Sequence, residues 1–357
     1  MSLVCQKFDP AGHYGIEAPF TFNSKYIFFA NTLWKNQSFS FPYYHEEGTW
    51  KYQYNNNGSL LIAIGRNKIK IINGNNNSLI KEIPKGAVTI NHICFDRHSN
   101  YVAMSTLDHY CILWNIKNDS VFTLKHRGWQ IGCSTFIEDC KMLATACSDS
   151  TIVLWDIHHG KEIKKLKGHV DFVEYVAYSP ESKLLASGSR DGTIRFWDIK
   201  SGKEIDRIEN ENVGWVETIQ FDKKGEQILS AYSNNIAIIW DIRSKKEIKR
   251  YHGIEKLTSA FYDPSNKHII ISSHNSNESV LDIWNIQDNK WIDRIKIESQ
   301  FERGLFLPNG NAVISYFLDT PRYWDFMPYA DLIQYLKVYM GDYSLSLEEK
   351  KKYYLDD

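Results

Sequence analysis

The sequence predicts an all-β chain assembled from one repeated unit, because a tryptophan followed by Asn or Asp closes a strand-like run at a nearly constant interval. Six such tryptophans lie 40 to 44 residues apart, which matches the roughly 40–45 residues of one four-stranded β-propeller blade. Short apolar runs separated by turns rich in Gly, Ser, Asp and Pro surround them, as expected of antiparallel hairpins. The tryptophans are Trp114, Trp155, Trp197, Trp240, Trp284 and Trp324.

The clearest unit gives four predicted strands in a row. Turns containing Ser-Pro, Asp-Gly and Ser-Gly separate them, and these residue types favour tight turns. Since nothing in this stretch favours helix, we interpret the unit as one four-stranded antiparallel sheet. The predicted strands are 172–178, 184–187, 193–198 and 203–208.

Two further units precede the first of these tryptophans. Residues 59–73 have the strand-turn-strand form, with Ile72 standing 42 residues before Trp114. Residues 18–36 form a shortened unit in which Trp34 takes the tryptophan position. This gives eight blades, which we prefer. A seven-bladed ring, in which the residues before about 40 serve as a closing strand and cap, is the alternative.

The last unit, residues 301–325, supplies only three strands. An isolated strand at residues 3–8 is the natural fourth, since pairing the termini would close a single ring and remove its exposed edges. We therefore predict a propeller over 1–326 and a short helical extension over 327–357. In that extension Leu332, Ile333, Leu336 and Tyr339 have helical spacing, and 346–349 reads as a capping box.

The unit around Trp197 resembles the WD40-repeat family, because it has that family's four polar positions: His169, Ser187, Asp191 and Trp197. The resemblance implies that Asp191 orients His169, which contacts Ser187, which reaches the indole N–H of Trp197. This quartet is expected to be structural, since it satisfies groups that blade packing would bury. The C-terminal tail also resembles tails of bacterial WD40 proteins.

Neighbouring units keep only part of this quartet, so hydrophobic burial is expected to supply most of the stability. At the histidine position of the unit ending at Trp155 stands Arg127, with His126 one residue earlier. The remaining equivalent positions are Thr145 and Asp149, Ser230 and Asn234, and Met104 and Asp108.

Composition excludes several classes of function. The 42 Lys and Arg residues balance 43 Asp and Glu residues, so no overall charge favours nucleic acid or a membrane as partner. The six cysteines lack a C-x-x-C pair, and the N-terminus lacks a secretory apolar segment. We therefore expect buried free thiols and a cytoplasmic protein.

The sequence contains no motif for catalysis. Phosphate-binding Gly-x-x-x-x-Gly-Lys-Ser/Thr and the Gly-x-Ser-x-Gly elbow are missing. His158 and His159 fall in a turn, and His92 lacks a cysteine or acidic partner at ligand spacing. We expect no enzyme activity, no metal and no cofactor. Lysine-rich stretches at 161–167 and 245–250 fall on predicted outer strands, where they are expected to protect sheet edges; a weak electrostatic docking face is the alternative.

The better functional signal is a set of residues that the WD40 resemblance brings to the mouth of the central channel. Aromatic and Arg side chains are enriched in interaction hot spots. The alternative is that the aromatic members pack between blades. The candidates are Trp129, Asp171, Phe172, Arg190 and Trp215, with Ser148 and Ser233 at equivalent turn positions and a polar loop at 272–279 as a secondary candidate.

We therefore expect a non-catalytic interaction scaffold or regulatory receptor that binds a peptide or protein at the propeller mouth, with a monomer favoured. One alternative is a propeller enzyme with a channel-lining acid/base or metal site. Another is an assembly subunit that uses its C-terminal helices.

Overall fold

The computed structural model describes residues 51–297 apart from 66, 75–77, 127–129, 138–140 and 210–212, and the strand residues 20–22, 26–29, 32–35, 304–306, 312–317 and 320–325. These residues form eight antiparallel sheets and no helix, so the described part is all-β, as predicted. The predicted strand at 3–8 and the helical extension at 327–357 lie outside the described residues.

The sheets are numbered in chain order. Sheet 1 contains β1 (Phe20–Phe22), β2 (Tyr26–Phe29) and β3 (Thr32–Lys35). Sheet 2 contains β4 (Lys51–Tyr54), β5 (Leu60–Ile64), β6 (Lys68–Asn73) and β7 (Leu79–Pro84). Sheet 3 contains β8 (Ile90–Phe95), β9 (Tyr101–Thr106), β10 (Tyr110–Asn115) and β11 (Val121–Lys125). Sheet 4 contains β12 (Ile131–Ile137), β13 (Met142–Cys147), β14 (Thr151–Asp156) and β15 (Lys161–Lys167).

The second half of the chain repeats this arrangement. Sheet 5 contains β16 (Val173–Ser179), β17 (Leu184–Ser189), β18 (Ile194–Trp197) and β19 (Glu204–Ile208). Sheet 6 contains β20 (Val216–Phe221), β21 (Gln227–Tyr232), β22 (Ile236–Asp241) and β23 (Glu247–His252). Sheet 7 contains β24 (Lys256–Tyr262), β25 (His268–His274), β26 (Ser279–Asn285) and β27 (Lys290–Ile297). Sheet 8 contains β28 (Gly304–Phe306), β29 (Ala312–Phe317) and β30 (Thr320–Asp325).

Every sheet is a simple meander in which consecutive strands pair antiparallel. The turns between first and second strands show why the sequence folds this way. In sheet 6 the carbonyl of Asp222 accepts a hydrogen bond from the N–H of Gly225, whose φ is +68°. The Asp222 carboxylate also accepts N–H bonds from Glu226 and Gln227, each at 2.8 Å. Such Asp-rich turns satisfy their own backbone and fix the hairpin.

The core lies between neighbouring sheets. The first strands β8, β12, β16, β20 and β24 contact one another in succession. Between sheets 4 and 5, Leu154, Val176 and Trp197 are almost completely buried in one cluster. Because side chains alternate along a strand, an inner strand can bury one set against each neighbouring sheet.

Lysines on outer strands also join neighbouring sheets. Lys164 of sheet 4 donates to the carbonyl of Lys200 in sheet 5, and Lys249 of sheet 6 donates to that of Ile286 in sheet 7. Lys81 of sheet 2 donates in the same way to Ile116, in the turn that follows the third strand of sheet 3. Lys164 and Lys249 lie on outer strands as expected, and Lys81 lies on an outer strand too. All three fasten one sheet to the next as well as charging the edge.

The predicted polar loop at 272–279 is wrong in extent. Strand β25 continues to His274 and strand β26 begins at Ser279, so only residues 275–278 form the turn. Ser272 and Ser273 are buried, and their hydroxyls accept N–H bonds from Gly304 at 2.9 Å and Ile254 at 3.1 Å. The run of small polar residues predicted a loop. The sequence does not show that two of their hydroxyls hydrogen-bond the backbone of residues distant in the chain.

Candidate functional site

The quartet of sheet 5 is a continuous chain of hydrogen bonds. His169 Nδ1 lies 2.7 Å from the Asp191 carboxylate, and His169 Nε2 lies 2.7 Å from Ser187 Oγ. The indole N–H of Trp197 donates to the same Ser187 oxygen at 2.8 Å. Since Nδ1–H donates to the carboxylate, Nε2 is the acceptor and the Ser187 hydroxyl donates to it. The chain therefore satisfies four buried polar groups.

The carboxyl group of Asp191 is ionised within this chain. Burial alone would raise its pKa, but hydrogen bonds from His169 and Thr193 outweigh burial and hold the pKa well below its ordinary value. Asp191 Oδ2 also lies 3.7 Å from the Arg195 guanidinium. The charge is thus compensated inside the sheet, which suits a structural function.

Sheet 4 builds a related chain from a different histidine position. His126 Nε2 lies 3.1 Å from Thr145 Oγ1, which accepts the indole N–H of Trp155 at 2.9 Å. The other ring nitrogen of His126 lies 3.0 Å from Cys147 Sγ. Counting back from Trp155 puts Arg127 at the histidine position of the quartet. The structure places His126 there instead, one residue earlier in the chain. Arg127 lies outside the described residues.

The two ends of the sheets differ in chemistry. We call the end at which first strands begin, together with the turns between second and third strands, the upper face. The lower face is the opposite end, where first strands turn into second strands. Phe172, Arg190 and Trp215 lie on the upper face of sheets 5 and 6.

Arg190 brings these candidate residues together. Its guanidinium carbon lies 4.6 Å from the ring centre of Phe172 and 5.0 Å from that of Trp215. Its Nε donates to Glu174 Oε1 at 2.5 Å. Cations over aromatic faces are attracted by the ring quadrupole. Arg190 thereby links the upper faces of two neighbouring sheets.

The position of Glu174 follows from a β-bulge. The pairing of β16 with β17 shifts between Val173 and Tyr175, leaving Glu174 as the extra residue. Bulges redirect a side chain away from the regular pleat, and here the carboxylate meets Arg190. Sequence reasoning missed Glu174, since nothing in the local pattern marks a bulge.

The candidates differ in exposure. Phe172 is only 9% exposed and supports Arg190 from within, whereas Trp215 is 49% exposed. Val170, which the sequence did not single out, is 82% exposed. Asp171 is exposed, and its carboxylate accepts the N–H of Phe172 at 2.6 Å. Apolar surface and charge are thus presented side by side.

Other expected members of the site are used within the fold or lie outside the described part. Ser148 Oγ accepts the N–H of Gln130, and Ser233 Oγ accepts that of Trp215, each at 3.0 Å. These hydroxyls hold the start of a first strand against the neighbouring turn. Trp129 lies outside the described residues.

A cavity of about 1350 Å³ lies among the first strands of sheets 2 to 8. In its wall His92 Nε2 lies 3.6 Å from Cys133 Sγ and 3.4 Å from the Tyr175 hydroxyl. The sequence missed this cysteine partner of His92 because the two residues lie on different sheets. Burial raises the pKa of the nearby Cys94 thiol well above its ordinary value, so this thiol stays protonated.

Within the part of the chain that the structure describes, no cluster of three or more His, Cys, Asp or Glu side chains could hold a metal ion. The same residues form no helix with the length and apolarity needed to cross a membrane.

Two segments of the chain, residues 118–156 and 160–198, match a family model described as "WD domain, G-beta repeat". Each segment begins with the outer strand of one sheet and ends with the third strand of the next: β11 to β14, then β15 to β18. The matched repeat is therefore offset by one strand from the sheet.

Three curated relatives align with part of the chain. The guanine nucleotide-binding protein subunit beta of Dictyostelium discoideum is 24% identical over 35% of this chain and 37% of its own length. The corresponding subunit beta-1 of Drosophila melanogaster is 24% identical over 36% and 38%. GID complex subunit 7 of Schizosaccharomyces pombe is 34% identical over 26% and 19%.

The chain thus spans less than two fifths of the length of each of these relatives. The two segments that match the family model include the hydrogen-bonded chains of sheets 4 and 5. This chain therefore carries WD40 repeats at two positions, which span β11 to β18.

Proposed function

We propose that this protein is a non-catalytic interaction scaffold or regulatory receptor that binds a peptide or protein on its upper face. The observation that carries the proposal is the Arg190 contact with Phe172 and Trp215, which sets an exposed indole on a rigid base. Exposed aromatic residues beside a fixed guanidinium are typical of interaction hot spots. Trp129 and Asp171 complete the proposed surface.

We further propose that the eight sheets form one closed ring over residues 1–326. The three-stranded sheets 1 and 8 are neighbours in space, since β3 contacts β30. A strand at residues 3–8 would complete sheet 8. A closed ring would hold the upper-face turns in fixed relative positions and remove open sheet edges.

The names of the relatives support the proposal that this protein is an interaction scaffold. Two are beta subunits of guanine nucleotide-binding proteins, and the third is a subunit of the GID complex. Each is by name one component of a larger assembly. A protein partner for the present chain follows by analogy.

An acid/base site in the cavity is not favoured. Asp263 lines the cavity, and burial would raise its pKa, but hydrogen bonds from His268 and Ser265 lower it overall. A carboxyl group in this state remains ionised and is a poor general acid at neutral pH.

Quantitative affinity capture tests the upper-face proposal. We would compare the wild-type protein, Trp215→Ala combined with Arg190→Glu, and the control Trp291→Ala. Trp291 is a good control because it is 45% exposed but lies on the outer strand β27. We expect a set of proteins to be lost from the double variant and kept by the control.

Circular dichroism must show that the captured variants are folded. Equal recovery of every partner by the folded double variant would refute the upper face as the binding surface. Loss of the same partners from Trp291→Ala would move the binding surface to the outer strands.

A further inference from the structure

The lower mouth of the cavity carries a group of cations. Four of them lie in the turns between first and second strands of consecutive sheets 3 to 6, and the fifth lies in the turn after β18. All five are exposed. Within the described residues none of them forms a salt bridge, and Lys200 is near enough to the Asp198 carboxyl to lower its pKa. The five are Arg97, Lys141, Lys183, Lys200 and Lys223.

Three carboxylates are found among the described cavity-lining residues: Glu181, Asp222 and Asp263. Asp222 accepts backbone N–H bonds in its own turn, and Asp263 does the same through Lys267 and His268. Glu181 is the exposed carboxylate among the cavity-lining residues that the structure describes. Among the described residues that line the cavity, the five cations thus outnumber the three carboxylates, although the whole chain is nearly neutral.

The wall above these cations is aromatic in seven successive sheets. Each aromatic residue lies at or near the end of a first strand and pairs with the residue seven positions later. A low-dielectric wall behind a rim of one charge sign focuses the electric field into the opening. The residues are Tyr54, Phe95, Phe136, Tyr178, Phe221, Tyr262 and Phe306.

We propose that this lower mouth binds a compact polyphosphate, meaning a small molecule with several phosphate groups. Lysine ammonium groups act as compact point charges for phosphate. The cations come from four sheets around an opening into a 1350 Å³ cavity, so a ligand with several phosphate groups offers each of them a separate anionic group. This inference is independent of the upper-face proposal.

A polyphosphate suits the mouth better than an acidic peptide. Each phosphate group concentrates more negative charge than a carboxylate, and a compact ligand loses less conformational entropy on binding than a flexible chain. The exposed amide of Asn56 and the Lys side chains offer N–H donors to phosphate oxygens.

Isothermal titration calorimetry with inorganic tripolyphosphate tests the inference. The site variant is Lys183→Glu with Lys223→Glu. The control is Lys161→Glu with Lys167→Glu. It changes the net charge by the same amount as the site variant, but on the outer strand β15. We expect affinity to fall about tenfold or more in the site variant, and less than about twofold in the control.

Three results would overturn the inference: no binding to the wild type, equal weakening in both variants, or tighter binding of a polyglutamate peptide than of tripolyphosphate. If the site variant fails to fold, Arg97→Gln with Lys200→Gln provides the same comparison. Partner capture through Trp215 is expected to persist in the site variant, which separates this test from that of the upper face.

Discussion

Replacing Ser187 by alanine isolates the energetic value of the complete hydrogen-bonded chain in sheet 5. Ser187 is fully buried, and its oxygen meets both Trp197 and His169. The variant leaves the indole N–H and one imidazole nitrogen without a partner. At about 1–3 kcal/mol for each of these two buried groups left unpaired, the free energy of unfolding should fall by about 2–6 kcal/mol.

Sheet 6 offers a matched control. Ser230 occupies the equivalent position and is equally buried. Its oxygen accepts the indole N–H of Trp240, donates to the Ile238 carbonyl and interacts with the Tyr232 hydroxyl, but no histidine is among these described partners. Ser230→Ala removes the same atom and leaves one ring nitrogen without a partner, where Ser187→Ala leaves two. We therefore expect a loss of about 1–3 kcal/mol, smaller than for Ser187→Ala.

Urea denaturation followed by tryptophan fluorescence measures both variants under the same conditions. The reasoning requires the midpoint to fall further for Ser187→Ala than for Ser230→Ala. Equal shifts, or a larger shift for Ser230→Ala, would show that the histidine adds nothing to the chain and that our assignment of its energetic contribution is wrong.

Three other predictions concern single groups. Burial lowers the pKa of His126 from 6.5 to about 4, so the unfolded chain takes up a proton first as pH falls. The contribution of neutral His126 to the free energy of unfolding should be fully present above pH 6.5 and fall by up to about 3 kcal/mol toward pH 4. Thermal melts over this pH range should show a smaller fall in melting temperature for His126→Gln than for the wild-type protein. An equal fall in the two proteins would contradict the assignment. Gly188→Ala would put a Cβ 2.4 Å from a methyl carbon of Val216. The free energy of unfolding measured by urea denaturation should therefore fall by about 1–3 kcal/mol. An unchanged free energy of unfolding would refute the close packing. Trp197→Phe should destabilise more than Trp114→Phe, because the indole N–H of Trp114 has no partner to lose in the described structure; equal midpoint shifts would argue against a contribution from this hydrogen bond.

The sequence was sufficient for the repeat and for the members of the sheet 5 quartet. Both depend on local spacing, because Trp197 and Ser187 lie on adjacent strands and a fixed strand length sets their separation. The WD40 resemblance implied that Phe172, Arg190 and Trp215 share one face. The residues predicted correctly contact neighbours that lie in the same hairpin or in the next repeat along the chain.

Sequence reasoning failed where one residue of register or one distant contact decides the structure. His126, rather than Arg127, contacts Thr145, and no pattern announces such a one-residue shift. Glu174 reaches Arg190 because of a bulge. The contact between His92 and Cys133 joins two sheets, so it depends on packing that a linear pattern does not contain.

The one-strand offset between the matched repeat and the sheet has an evolutionary consequence. A duplicated segment such as 160–198 would bring an outer strand for the preceding sheet and three inner strands for a new one. The displaced outer strand would then complete the new sheet. Such a chain can gain or lose a whole unit without leaving an unpaired strand edge, so the number of blades can change in one genetic step.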